Sequence, residues 1–253
     1  MHPLNIHKNE VHLWTITPQK IQDTPQLMAL LSNDEQQKVK RYRLEKPQHT
    51  ALLTRAFIRL ILSQYEARSP AQWDFSISPL GKPEVTNSTL PIRFNLSHNN
   101  DLIICAINLE NDIGCDIENL QRKISVQGIA QRYFSEHEHQ QLCALPKNQQ
   151  NAFFFKLWTL KEAFVKATGL GIAQGLATFS FYLTEKTANV TEINLTFSPQ
   201  CTEKNTQQWQ SYLFYPDNTH CIALCVKSPV SNAKALNIQL FDETKSLALF
   251  KTV

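Results

Sequence analysis

Residues 149–168 (QQNAFFFKLWTLKEAFVKAT) constrain this chain more than any other stretch. They read as one long helix, closed by Gly169 where a left-handed residue ends a helix. Phe153, Phe154, Phe155, Leu157, Leu160, Phe164 and Val165 leave it apolar almost all round. A helix of that kind is buried rather than laid on a surface. Trp158, Glu162 and Lys166 are spaced by four and share one face. Charges on a buried helix are paired or functional more often than idle. The plainer alternative is an i,i+4 Glu–Lys pair on a solvated surface, which is common and worth little.

The rest of the chain supplies the elements such a helix needs. Val11 to Thr17 reads as a first strand. Residues 33–45 form a charged helical stretch that Pro47 interrupts. Residues 48–66 form a second helix, with Leu52, Leu53, Ala56, Phe57, Leu60 and Ile61 on its apolar face and Arg55 and Arg59 on its flank. Short extended runs at 73–78, 92–96, 102–109 and 113–118, separated by turn clusters, read as an antiparallel meander. Ser135 with Glu138 makes a capping box that opens a helix, and Pro146 stops it. Runs at 178–183, 190–197, 209–215 and 221–226 suggest a second meander. The expectation is an α+β fold of two similar lobes, 1–120 and 121–253, each a small antiparallel sheet packed on helices.

Composition narrows the class. The chain has 253 residues, 25 Lys+Arg against 22 Asp+Glu, and 14 Phe, 4 Trp and 6 Tyr, which excludes disorder. No GxGxxG or GxxxxGK[ST] loop is present, so the usual phosphate cradles are missing. No apolar run approaches the roughly 18 residues of a membrane span, and no signal pattern opens the chain, so a cytoplasmic protein is expected. Six Cys (105, 115, 143, 201, 221 and 225) are scattered through apolar segments without CxxC or zinc-ligand spacing, and read as buried thiols.

Four clusters could carry chemistry. In Ile113-Gly114-Cys115-Asp116-Ile117-Glu118, alternation sends Ile113, Cys115 and Ile117 into a core and Gly114, Asp116 and Glu118 to the other face. The two carboxylates then stand about 6.5 Å apart at Cα, within reach of one hard cation. The helix face with Glu162 and Lys166 adds a third carboxylate and an ammonium. Ser97 and His98 close a strand; with no GxSxG they suit phosphate contact rather than hydrolysis, and a surface histidine is the plainer reading. Lys38, Lys40, Arg41 and Arg43, with Arg55 and Arg59, are a basic concentration suited to a multiply phosphorylated ligand, or to RNA with Tyr42 as a stacking ring. Lys82 sits in a Gly-Lys-Pro turn.

Taken in order, Gly81-Lys82-Pro83, Phe94 to His98, Ile113 to Glu118, Phe134-Ser135-Glu136-His137-Glu138 and Phe155 to Lys166 resemble the signature series of the 4′-phosphopantetheinyl transferases, of the surfactin-synthetase type, across residues 35–185. The resemblance implies transfer of the phosphopantetheine arm of coenzyme A, the co-substrate, to a serine of an apo acyl or peptidyl carrier protein. It implies two lobes in pseudo-twofold relation with the active site in the cleft between them. Asp116, Glu118 and Glu162 match the family's metal carboxylates, for Mg2+ or Mn2+. Lys166 matches the lysine near the diphosphate, and Glu162 is the candidate general base, directly or through a metal-bound water, with Asp116 also in the catalytic set. Lys161, Ser97, His98 and Lys82 match positions near the coenzyme A phosphates, and Arg41 and Arg55 those over the 3′-phosphate. Asn99-Asn100 and Cys115 depart from the usual pattern. The carrier would meet residues 119–134, through Arg122, Lys123 and Arg132 and the apolar Ile129, Tyr133 and Phe134; packing of those rings under the helix is the equal alternative. No nucleic-acid or membrane partner is expected, and the chain is expected to act as a monomer. Competing classes are an RNA-binding module, a metal-dependent phosphoesterase and a non-catalytic coenzyme A binder.

Overall fold

The computed structural model describes residues 3–187, 190–228 and 235–252. In chain order its elements are β1 (Glu10–Ile16), α1 (Pro25–Ala29), α2 (Asn33–Lys40), α3 (Glu45–Leu62), β2 (Phe75–Ile77), β3 (Pro83–Val85), β4 (Ile92–His98), β5 (Ile103–Leu109), β6 (Asp112–Asn119), α4 (Val126–Tyr133), α5 (Glu136–Ala144), α6 (Lys147–Thr168), β7 (Phe179–Thr187), β8 (Val190–Phe197), β9 (Trp209–Phe214), β10 (His220–Lys227), β11 (Asn237–Phe241) and α7 (Glu243–Phe250). This is an α+β fold of small sheets packed on helices. Among the described residues no helix is long and apolar enough to cross a membrane.

The chain forms two units, one running through Glu110 and resuming at Leu236, the other Asn111–Ala235. The break falls before β6, not at residue 120, and the C-terminal segment returns to the first unit. Two long-range pairings are the reason. β6 pairs with β10 rather than with β5, and β11 pairs parallel with β1. Neither partner is visible in local alternation, which records a strand's faces and not its neighbour.

In the first unit the sheet order is β11-β1-β5-β4, mixed rather than purely antiparallel because of the β1–β11 pair. α3 lies on it with Leu52, Leu53, Ala56, Phe57, Leu60 and Ile61 buried, as its apolar face predicts. Pro47 does not break a helix here. It occupies the first turn of α3, where the N–H has no helical acceptor to lose, and α2 ends earlier, at Lys40. Arg59, expected on a basic flank, is buried; its guanidinium meets Glu35 Oε2 at 2.6 Å and donates to Trp73 O at 2.7 Å. β11 and α7 close this unit: Phe241 stacks on Trp14 at 3.9 Å, and Glu243 accepts from the Thr17 N–H and pairs with Lys20.

His12 sits in this core at 1% exposure. Tyr65 Oη accepts from Trp14 Nε1 at 3.1 Å and is hydrogen-bonded to His12 Nδ1 at 2.8 Å. Burial pushes the His12 pKa down to about 4, against a smaller upward pull from Glu10.

In the second unit α6 lies on an antiparallel sheet ordered β6-β10-β9, and β7 and β8 form a separate hairpin. The four expected runs are therefore not one meander, since the last two join β6. Ser135 and Glu138 form the expected capping box, and Gly169 closes α6 at φ +71°. The sheet face under α6 is built of small residues: Gly114 is paired with Cys225, Asp116 with Ala223, and Glu118 with Cys221. A Cβ on Gly114 would stand 2.0 Å from Ala163 O and 2.4 Å from Ala167 N. Backbone therefore rests on backbone at this crossing, a contact only glycine permits.

Two outcomes follow for unfolding measurements. Gly114→Ala forces strand and helix apart and is expected to cost about 3 kcal/mol in urea unfolding. His12 has a folded pKa below its unfolded one, so the folded state resists protonation and stability is lost as pH falls from about 6.5 through 4. From pH 7 to pH 4 the wild type should lose about 3 kcal/mol more than a His12→Leu variant.

Candidate active site

Gly114 places two elements against each other, and the charged groups collect beside that contact. β6 presents Asp116 and Glu118 on the face that holds Gly114; the opposite row, Ile113, Cys115 and Ile117, is buried as well. Cys115 therefore takes no part in the acidic face. α6 presents Glu162 and Lys166, one turn apart. Lys166 Nζ donates to Asp116 Oδ1 at 2.6 Å. Arg122 lies 3.6 Å from Glu118 Oε2. Glu162 Oε1 is buried with no hydrogen-bond partner.

The electrostatics show an acidic group short of positive charge. Burial and then the Asp116 charge push Glu118 up to about 7, against the pull of Arg122 and Lys166. Burial and Asp116 likewise raise Glu162, and Lys166 only partly offsets them. For Lys166, burial works against the ammonium and Asp116 overrides it, so the net direction is up. As these side chains lie, no three His, Cys, Asp or Glu groups among the described residues stand close enough to hold a metal. The donor set nonetheless fits a hard divalent cation: three carboxylates, two of them raised by burial and by their acidic neighbour, with Glu162 Oε1 left orphaned.

Lys161 is elsewhere. The resemblance places it near coenzyme A phosphates, but its side chain is fully buried. Nζ meets Glu138 Oε2 at 2.8 Å and donates to Leu176 O at 2.8 Å and Phe179 O at 2.7 Å. An ammonium has three N–H bonds and no more, so none is left for a ligand. Helix direction separates it from Glu162 by about 100°.

In the first unit a cavity of about 740 Å³ gathers Lys38, Tyr42, Lys46, His49, Arg55 and His98. Arg55 and His98 were expected to bind; the others come from α2, its following loop and the first turns of α3. Lys46 and His49 went unnoticed in the sequence because Pro47 between them read as a helix break. His49 is fixed by Asp23 and, through Nε2, by Pro18 O at 2.9 Å. Arg41, at the end of α2, is exposed and does not line the cavity. Ser97 is buried and lies between the lining residues Leu96 and His98, on the other strand face. Lys82 is half-buried between the lining residues Gly81 and Pro83. The unusual Asn99 makes the turn after β4: its Oδ1 accepts from the N–H groups of Asp101 and Leu102.

The family model described as the 4′-phosphopantetheinyl transferase superfamily matches residues 112–225, and one described as 4′-phosphopantetheinyl transferase, N-terminal, matches residues 13–110. Similar proteins include the 4′-phosphopantetheinyl transferase HetI of Nostoc sp., 37% identical over 68% of this chain and 73% of that protein. The chain belongs to the 4′-phosphopantetheinyl transferase family.

Sfp of Bacillus subtilis is 32% identical over 66% of this transferase and 72% of its own length. A phosphopantetheinyl transferase of Thraustochytrium is 27% identical over 83% of the chain and 74% of its own. The solved holo-[acyl-carrier-protein] synthase of Thermotoga maritima overlaps 46% of this chain and 62% of that one, at TM-score 0.35 and 21% identity. The two family matches of the transferase meet between residues 110 and 112, where the chain divides into its units. β6 and α6, with all four charged groups of the acidic site, fall inside one match.

Proposed function

We propose that this transferase moves the 4′-phosphopantetheine arm of coenzyme A to a serine hydroxyl of an apo acyl or peptidyl carrier protein, with Mg2+ or Mn2+, releasing adenosine 3′,5′-bisphosphate. The observation that carries the reading is the bond from Lys166 to Asp116 beside the Gly114 contact, with Glu162 one turn from Lys166 and within the field of both. Asp116, Glu118 and Glu162 are the residues to hold the cation, which when bound would offset charge on the diphosphate. Lys166 Nζ donates to the phosphate oxygen that leaves as the P–O bond breaks. The serine oxygen attacks the phosphorus bearing the pantetheine arm, and its proton goes to Glu162 Oε1, the buried oxygen without a partner.

The basic cavity of the first unit suits the phosphate-bearing nucleotide end of coenzyme A. Arg55 and His98 would contact it, helped by Lys38, Lys46 and the neighbouring Lys82. Arg41 would act only at longer range, and Ser97 from the far strand face is the weakest member. For the carrier, Arg122, Lys123 and Arg132 are exposed and Ile129 and Tyr133 half-exposed, which supports docking on α4 and the segment before it. Phe134 is excluded from that surface, because it is buried and stacked on Phe154 at 5.1 Å. The six cysteines are all thiols, five buried and Cys143 exposed, which supports action in the reducing cytoplasm; the chain is proposed to act there as a monomer.

Intact-mass spectrometry of apo carrier proteins incubated with the chain, coenzyme A and Mg2+ tests the reading. A metal-dependent gain of one phosphopantetheine is expected, with Asp116→Ala lowering the rate on the order of 100-fold or more while thermal unfolding stays native. Hydrolysis of coenzyme A without a carrier would instead establish a phosphoesterase. Full turnover by a folded Asp116→Ala variant would remove the acidic site from the mechanism.

A further inference from the structure

Lys161 and Glu138 are both at 0% exposure, and the chemistry above uses neither. Around the ammonium lie Glu138 Oε2, Leu176 O and Phe179 O, with the Phe179 and Phe134 rings over it at 4.4 and 5.6 Å. Glu138 in turn accepts from the Phe181 N–H through Oε1 at 2.9 Å, and from the Ser135 N–H and hydroxyl through Oε2. One ion pair thus joins α6 to the first turn of α5, to β7 and to the turn at Leu176. A buried pair is weak evidence for stability, since apolar side chains of like volume serve a core as well or better. Its use lies in what it orients.

At about 100° per residue, Lys161 points about 160° away from Ala163 around the α6 axis. Ala163 and, one turn on and about 120° from Lys161, Ala167 are the residues whose backbone rests on Gly114. The helix is therefore held from two opposite sides, by a backbone contact on one and by an ion pair on the other. Glu162 and Lys166 project from the flank between them. With side chains the helix radius is about 5–6 Å, so a rotation of about 20° would move a side-chain tip by about 2 Å. The Asp116–Lys166 bond, at 2.6 Å, does not survive such a shift.

We propose that the Lys161–Glu138 pair is a positioning device that locks the rotation of α6 and so brings Lys166 and Glu162 to Asp116. Its kinetic consequence rests on the transferase reading. The positional claim stands on the geometry alone, and the experiment separates the two.

The variants are Glu138→Gln/Lys161→Met, which keeps volume and leaves no unpaired charge, Glu138→Gln alone, and Lys161→Arg as the conservative rescue. The Lys166 side-chain NMR signal, assigned by its loss in Lys166→Gln, is read without coenzyme A or metal. In the folded double variant it is expected to move to the position of a solvated lysine, and Lys161→Arg should restore it at least in part. In transfer assays kcat should fall about tenfold or more, with KM for coenzyme A within about twofold. A folded double variant or Glu138→Gln with the Lys166 signal unmoved would overturn the proposal. Failure of every variant to fold would overturn it too, since the pair would then hold the fold rather than the angle. Absence of transfer by the wild-type chain would sink the transferase reading and leave the NMR result standing.

Discussion

At the crossing of β6 and α6 two backbones meet directly. Gly114 on β6 lies under Ala163 and Ala167 of α6, with no room for a Cβ. Much follows from that one missing methyl group. The row of the sheet beneath the helix must be small, and Ala223 and Cys225 fill it on β10. The helix settles low enough for Lys166 to reach a carboxylate two residues along the strand. Carboxylates that would otherwise face water become partly sealed, and burial and then the Asp116 charge raise the pKa of Glu118 and of Glu162.

Two lysines five residues apart on α6 show how far environment outweighs residue type. Lys161 is sealed between a carboxylate, two carbonyls and two rings, and every proton is engaged. Lys166 keeps 28% of its side chain accessible and shares one acidic neighbour with the site. The same ammonium, in the same helix, is a structural tie in one place and a chemical group in the other. Arg55 and Arg59 repeat the pattern on α3: one turn apart, Arg55 lines a cavity while Arg59 is locked to Glu35 and to backbone carbonyls.

Much of this was legible in the amino-acid order. The long apolar helix, its closing glycine, the capping box at Ser135 and Glu138 and the alternation around Asp116 are local patterns, set by side-chain period and by backbone preference. Asp116, Glu118, Glu162 and Lys166 could be placed on common faces for the same reason. Pro47 misled because its cost depends on where in a helix it falls, and the start of α3 at Glu45 has no strong local signal. β11 and α7 were missed because their support comes from Trp14, Thr17 and Lys20, more than 200 residues away in the chain.

The amino-acid sequence by itself determined which segments are helix and strand over most of the chain, and which charged residues share a face, because both depend on periods of two and 3.6 residues. The tertiary structure alone decided that β6 leaves β5 for β10, that β11 runs parallel to β1, and that Lys161 is sealed while Lys166 meets Asp116. Strand partnership and burial are settled by which distant surfaces exclude water together, and that information is carried by no single stretch of the chain.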